Sequence, residues 1–160
     1  LIIPMSSVLG GLVDFAIGFV VLLGMMIYWG VVPSWQILTL PLIILLALIT
    51  ALGVGLWFSA LNVLYRDVGY VLPVMTQLLL FISPVGYSTS TVPVQWQGLY
   101  AMNPIVGVIE SFRWAVLGTV PSDSLPLWTL VSISASVSIL LLVTGLFYFR
   151  RMERAFADMV

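Results

Sequence analysis

The sequence predicts an all-α integral membrane protein with four transmembrane helices and one re-entrant two-helix hairpin. Of its 160 residues, 62% are hydrophobic and 7% are charged, whereas roughly 25% of an ordinary soluble domain is charged. Four apolar stretches are long enough, at about 20 residues, to match the roughly 30 Å hydrocarbon core of a bilayer. A fifth apolar segment is divided by Pro and Gly into pieces too short to cross. These observations predict one transmembrane domain over residues 1–160.

The residue types exclude several functions. The chain contains no Cys, His or Lys, so it offers no thiolate or imidazole for a metal and no Lys for a nucleotide-binding P-loop. Its carboxylates are scattered, and we expect no catalytic residue, metal or cofactor on this chain. Five Arg and a net charge of -1 argue against nucleic-acid binding. Leu1 lies in an apolar run without signal-peptide features, which predicts a fragment lacking its N-terminal part.

The first two predicted spans cover about residues 9–29 and 37–61. The first ends with Tyr28 and Trp29, which suit the headgroup level. Asp14, near its start, is interpreted as an interfacial or helix-pairing carboxylate rather than a proton carrier. The second carries a ladder of small residues spaced four apart: Ala47, Ala51, Gly55 and Ser59. This spacing allows close helix packing in a bilayer; a surface along which substrate glides is the alternative.

The last two predicted spans cover about residues 70–87 and 127–149. Pro84 is expected to break or kink the third span near its far end. Gln77 is the one strongly polar side chain at mid-depth in that span, and it is either an interhelical hydrogen-bonding group or part of a translocation path. The serines of the fourth span are expected to bond to a carbonyl one turn back or to a neighbouring helix.

The segment between these spans, about residues 94–118, is predicted to be re-entrant. Asn103 suits the N-cap of a helix, Pro104 its first position and Gly118 its end. The helix would have about 14 residues and a length of about 21 Å, which is too short to cross and favours a re-entrant or interfacial element.

Glu110 and Arg113 are three residues apart on this predicted helix and can form an ion pair. Ionisable groups at membrane depth usually pair or line a wet cavity. The alternative is a hairpin that lies flat at the interface with both side chains solvated.

Arginines predict the orientation, because positive charge marks the cytoplasmic side of short loops. Arg66 lies between the second and third spans, and three arginines follow the fourth: Arg150, Arg151 and Arg154. Two crossings separate these groups, so they share the cytoplasmic side if residues 94–118 do not cross. The turn of Tyr65, Arg66 and Asp67 is then either an orientation anchor or a contact surface.

Three motifs follow one another in two stretches, LNVLYRDVGYVLPVMTQLLLFISPVGYSTSTVP and LYAMNPIVGVIESFRWAVLG. They are the YRD turn, the SP at the end of the third span and the NP that precedes FRW. In this order and spacing the chain resembles the membrane subunit of a type-2 ABC exporter, in particular the bacterial O-antigen, capsule and teichoic-acid permeases. The likeness covers about residues 14–151, and Ser88 stands where the family commonly has Pro.

The resemblance implies a six-span permease of which this chain is the C-terminal part. It implies a second permease copy, two P-loop ATPase subunits on separate chains that bind ATP and Mg, and export of a lipid-linked glycan through the bacterial inner membrane. Movement of the ATPases would reach the spans through cytoplasmic elements that include Tyr65, Arg66 and Asp67.

The resemblance also implies two short helices, near residues 94–102 and 104–117, that gate the exit. The aromatic side chains in this region suit stacking on sugars, with interfacial anchoring as the alternative. The predicted gate residues are Tyr87, Trp96, Tyr100, Asn103, Pro104, Glu110, Arg113 and Trp114.

Three other functions remain as alternatives. A drug or lipid exporter of the same superfamily would share the fold. A proton-coupled secondary transporter would need a carboxylate inside a span, for which Asp14 and Glu110 are the candidates. A non-transporting membrane anchor would need neither a kinked span nor a re-entrant hairpin.

Overall fold

The computed structural model describes residues 2–65, 67–119 and 125–157. Every regular element in these ranges is helical, which confirms the all-α prediction. The α-helices are α1 (Ile2–Tyr28), α2 (Leu40–Leu64), α3 (Val68–Ile82), α4 (Val94–Tyr100), α5 (Pro104–Leu117) and α6 (Leu127–Ala157), with short 3-10 turns at Trp35–Thr39 and Thr89–Thr91.

Within the described residues, three helical stretches are long and apolar enough to cross a bilayer: Leu9–Tyr28, Trp35–Asn62 and Leu127–Met152. The third predicted span is shorter than expected, because α3 has 15 residues and a length of about 22 Å. It ends at Ile82 because Ser83 precedes Pro84 and adopts an extended conformation with ψ 149°, as the residue before Pro prefers.

Helices α2 and α6 pack against each other along an interface that we call the seam. Thr50 Oγ1 lies 2.7 Å from Ser138 Oγ, and Trp57 Nε1 donates to Thr144 Oγ1 at 3.0 Å. Trp57 also stacks on Tyr148, with ring centroids 4.9 Å apart. Because these contacts advance in the same direction on both helices, α2 and α6 run parallel. The chain between them must therefore return along the whole length of the seam.

Glycines set the close approach at the seam. A Cβ on Gly53 would lie 2.8 Å from the backbone nitrogen of Leu142, and one on Gly145 would lie 3.1 Å from the carbonyl oxygen of Gly53. The first distance is too short for a methyl group and the second is tighter than an ordinary contact, so the two backbones touch here.

The predicted small-residue ladder does not make this contact. A Cβ on Gly55 would have no neighbour within 4 Å, and Ala51 is exposed. Ala47 and Ala51 instead line an apolar groove next to α1, and Ser59 is half-buried. Small residues permit a close approach, and α2 carries them on two faces, of which the one with Gly53 receives α6.

Helix α5 is held on several sides. Ala115 is buried in a cluster with Leu40 and Ile43 of α2. The Phe112 ring meets the rings of Phe15 and Phe19 of α1 edge-on, at centroid distances of 5.8 and 6.2 Å. These contacts fix α5 to α1 and α2.

Helix α3, in contrast, buries none of its residues. Its packing within the described chain is mainly against α2, close to the connecting turn. There a Cβ on Gly69 would lie 3.1 Å from Asn62 Oδ1. Most of the α3 surface is therefore free to face lipid or another chain.

Candidate functional site

The connection from α4 to α5 reaches down the side of α6. Ser134 Oγ of α6 donates to the carbonyl oxygen of Ala101 at 2.9 Å and accepts from the Gly107 N–H at 3.1 Å. Ser134 lies seven residues into α6, or about 10 Å below its first residue. Trp114, near the other end of α5, lines a groove with Leu127 at the start of α6. Helix α5 thus runs antiparallel to α6, from this depth back to its beginning.

Local signals fix both ends of α5, as predicted. Asn103 Oδ1 accepts from the Ile105 N–H at 3.2 Å, Pro104 is the first helical residue, and Gly118 ends the helix with φ 69°. A side chain at Gly118 would be strained by this φ and would also approach Gln36 Oε1 and Ser34.

The predicted ion pair forms on α5. Arg113 Nη1 lies 2.6 Å from Glu110 Oε1, and Glu110 is only 4% exposed. The same carboxylate oxygen accepts hydrogen bonds from the hydroxyl and, at 3.3 Å, from the backbone N–H of Thr89. The carboxylate therefore joins its own helix to the turn that follows α3.

Arg113 holds that turn at a second place. Its Nη2 donates to the carbonyl oxygen of Pro84 at 2.8 Å and to that of Tyr87 at 3.2 Å. The guanidinium group therefore donates through Nη2 to carbonyl groups beyond the end of α3, while its Nη1 is paired with Glu110.

Two tyrosines meet at the end of α3. The Tyr87 and Tyr100 hydroxyl oxygens are 2.6 Å apart, and the Tyr100 hydroxyl donates to the carbonyl oxygen of Ile82 at 2.5 Å. Burial, followed by the hydrogen bond with Tyr87, raises the pKa of Tyr100 well above its usual value, so this phenol stays protonated.

Two further side chains complete the attachment. Asn103 Nδ2 donates to Ser83 Oγ at 3.0 Å. Gln97, which is fully buried, donates to the carbonyl oxygen of Val92 at 2.8 Å and accepts from the Leu125 N–H at 2.7 Å. We call these contacts the clasp; they hold the turn of residues 82–92 against α4 and α5, through Gln97, Tyr100, Asn103, Glu110 and Arg113.

The other predicted gate aromatics lie beside the clasp. Trp96 is exposed and, with Tyr100 and Asn103, lines a cleft of about 310 Å³ that also includes Ile82, Val92 and Leu99. Trp114 lies apart from this cleft, packed against the buried cluster of α2 and α5.

The remaining predicted residues lie elsewhere. Gln77 is exposed on α3, and the ladder lies on α2. Tyr65 and Asp67 are exposed at the opposite end of α3, and Arg66 lies outside the described residues.

Sequence reasoning missed Thr89 and Gln97. Thr89 was one of several hydroxyl residues in STST, and nothing local distinguishes it from Thr91. For the α6 serines, the expectations included a hydrogen bond to a neighbouring helix. Ser134 makes such a bond, but the sequence did not identify its partner.

The sequence matches a family of transport proteins and several of their curated members. Residues 2–117 match the family described as ABC-2 type transporter. The O-antigen export system permease protein RfbA of Myxococcus xanthus is 27% identical over 156 residues, which are 96% of this chain and 59% of that protein. A protein of the same name from Klebsiella pneumoniae is 26% identical over 161 residues, covering 99% of this chain and 60% of that protein.

A third relative is named for a different polysaccharide. The polysialic acid transport protein KpsM of Escherichia coli is 30% identical over 139 residues, covering 85% of this chain and 52% of that protein. The chain spans 59% and 60% of the lengths of the two O-antigen relatives.

Proposed function

The chain belongs to the ABC-2 type transporter family, and on this premise we propose that it is the membrane-spanning permease subunit of an ATP-driven polysaccharide exporter. Its cargo is a lipid-linked glycan of the O-antigen, capsule or teichoic-acid type, moved across the bacterial inner membrane. The observation that carries the proposal is the likeness to O-antigen export permeases over 96% of the chain. The relative named for polysialic acid transport supports the same class of cargo.

In the proposed arrangement the chain crosses the membrane four times and dips into it once. The parallel seam supports this, because the chain must return between the end of α2 and the start of α6, and α3 with its following turn makes that return. The path of α4 and α5, which goes about 10 Å down α6 and back, supports a re-entrant hairpin. Arg150 and Arg151 are exposed in the last third of α6, which supports a cytoplasmic C-terminus.

The proposed partners are a second permease copy and two ATPase subunits, which bind ATP and Mg on their own chains. The chain itself needs no cofactor. Tyr65 and Asp67 are exposed beside the cytoplasmic end of the seam, which supports a contact surface for an ATPase at this turn.

The clasp and the adjoining cleft form the proposed exit gate. Trp96 and Tyr100 offer flat apolar faces on which a sugar ring can stack, and Asn103 offers a polar group at the same cleft. Glu110 is engaged by Arg113 and Thr89, which argues against a proton-carrying role for this one of the two candidate carboxylates.

The proposal is tested by affinity purification of the full-length protein from its native membranes in mild detergent, followed by mass spectrometry. We expect a P-loop ATPase in stoichiometric amount. Deletion of the gene should remove polysaccharide from the cell surface and leave lipid-linked glycan inside the cell. An intact permease without an ATPase, in a strain whose surface polysaccharide survives the deletion, would contradict the proposal.

The contact at the turn is tested by substitution in the same purification. Tyr65, 63% exposed, is changed to Ala; the matched control is Tyr28→Ala, at a tyrosine 84% exposed at the other end of the bundle. We expect the ATPase yield to fall several-fold for Tyr65→Ala and to stay unchanged for Tyr28→Ala. Equal yields in both variants would remove the turn from the proposed interface.

A further inference from the structure

Helix α3 is fixed at its two ends rather than along its length. None of its residues is buried. Its first residue follows α2 by a short turn, and its last turn enters the clasp through the carbonyl oxygen of Ile82. Within the described chain, a displacement of α3 would therefore break few contacts with the other helices.

The clasp is made of contacts that can open. The turn is held through the carbonyl oxygens of Ile82, Pro84 and Tyr87 and through the Thr89 side chain. The hydrogen bonds of Arg113 and Glu110 are charge-assisted and stronger than neutral ones, and each of these contacts opens if water or another donor takes the place of its partner. At the seam, by contrast, the contact at Gly53 is between backbones and cannot be exchanged in this way.

The ends of α3 also contain the places where its backbone can bend. Pro73 lies in its second turn and has no N–H for the carbonyl group of Gly69, four residues earlier. At the other end, Pro84 follows the last turn, and Ser83 is already extended. A rod between two prolines can therefore change its angle at a small cost.

We infer that the clasp is a latch: it holds the end of α3 against the α4–α5 hairpin in the closed state, and it opens in each transport cycle while the seam stays closed. This inference rests on the proposed export function and adds to it the part that moves. Glu110 and Arg113 are then positioning residues that hold the turn, and α3 carries displacement from the Tyr65–Asp67 end to the exit.

The test compares two pairs of introduced cysteines in the full-length protein, assembled with its ATPase. Ser83→Cys with Asn103→Cys spans the clasp, where the native side chains are 3.0 Å apart. Thr50→Cys with Ser138→Cys spans the seam, where the native oxygens are 2.7 Å apart. Because Ser83, Thr50 and Ser138 are buried, both pairs are oxidised directly to disulfides with membrane-permeant copper phenanthroline and released by reductant. The fraction joined is measured by mass spectrometry, and the single-Cys variants are the controls.

Export is read as cell-surface polysaccharide labelled by periodate oxidation and hydrazide coupling. We expect the cross-link at the clasp to lower export at least tenfold, and reductant to restore it. The cross-link at the seam should leave export unchanged. Export that continues with the clasp cross-linked, or that stops equally with either pair, would overturn the inference. Export is compared within each variant before and after oxidation, because Asn103 belongs to the proposed gate and its substitution can change export by itself. If the native protein supports no polysaccharide export, the proposed function itself fails and the latch falls with it.

Discussion

The seam and α3 are two apolar parts of the molecule that are held in opposite ways. At the seam, Gly53 and Gly145 bring two backbones into contact, and the Thr50 and Ser138 hydroxyl groups satisfy each other inside that contact. Helix α3 has no buried residue and depends on the clasp at one end. In a bilayer, apolar burial gives helices little net drive to associate. The close approach of their backbones therefore fixes α2 to α6, and the absence of such an approach leaves α3 held mainly at its ends.

The largest expected effect comes from leaving the buried carboxylate of the clasp without its cation. Arg113→Met should destabilise the protein by about 3–5 kcal/mol, because an unpaired buried charge remains. The midpoint of thermal unfolding of the purified protein in detergent measures this. The double variant Glu110→Gln with Arg113→Met leaves no such charge and should recover most of the loss. A single variant as stable as the double one would show that the ion pair does not support the turn.

The seam is tested by adding one methyl group at two glycines of α2. Gly53→Ala should destabilise by about 1–3 kcal/mol, because the methyl meets the α6 backbone and forces a shift. Gly55→Ala, where nothing lies within 4 Å, should instead raise stability by up to roughly 1 kcal/mol through helix propensity. Equal effects on the unfolding midpoint would mean that the close approach at Gly53 is absent.

A smaller effect is expected where the hairpin meets α6. Ser134→Ala leaves the Gly107 N–H and the Ala101 carbonyl group without this partner and should cost about 1–2 kcal/mol. Ser136→Ala is the matched control, since the Ser136 hydroxyl is exposed and only returns to the Ser132 carbonyl group. Hydrogen exchange of the Gly107 amide should accelerate in the first variant only, and unchanged exchange there would contradict the assigned contact.

The smallest effect is expected at the tyrosine contact. Tyr100→Phe removes a hydroxyl that bonds to Tyr87 and to the Ile82 carbonyl group, at a cost of about 1 kcal/mol. Tyr70→Phe is the control. Tyr70 lies in the first turn of α3 and is 83% exposed, so this change should be neutral. The unfolding midpoints of the two variants are compared. A neutral Tyr100→Phe would leave the hold on α3 to the other clasp contacts, those of Tyr87, Asn103 and the ion pair.

The sequence predicted best what short-range chemistry decides. The ends of α5 follow from Asn103, Pro104 and Gly118, and the Glu110–Arg113 pair follows from helical spacing. The choice of packing face on α2 could not be predicted, because the Gly55 ladder and the Gly53 face differ only in which one meets α6. The role of Thr89 could not be predicted either, because its carboxylate partner, Glu110, lies 21 residues away in the sequence.

The central claim, that the clasp moves and the seam does not, is tested most directly by spin-label distances in the full-length protein with its ATPase. This chain has no Cys, so labels can be placed at exposed positions across each contact. One pair is Val85 with Leu117, across the clasp, and the other is Leu45 with Leu140, across the seam. Between the nucleotide-free and the vanadate-trapped states, we predict a shift of the distance distribution for the first pair and none for the second. An unchanged clasp distance, or a seam distance that shifts equally, would contradict the account.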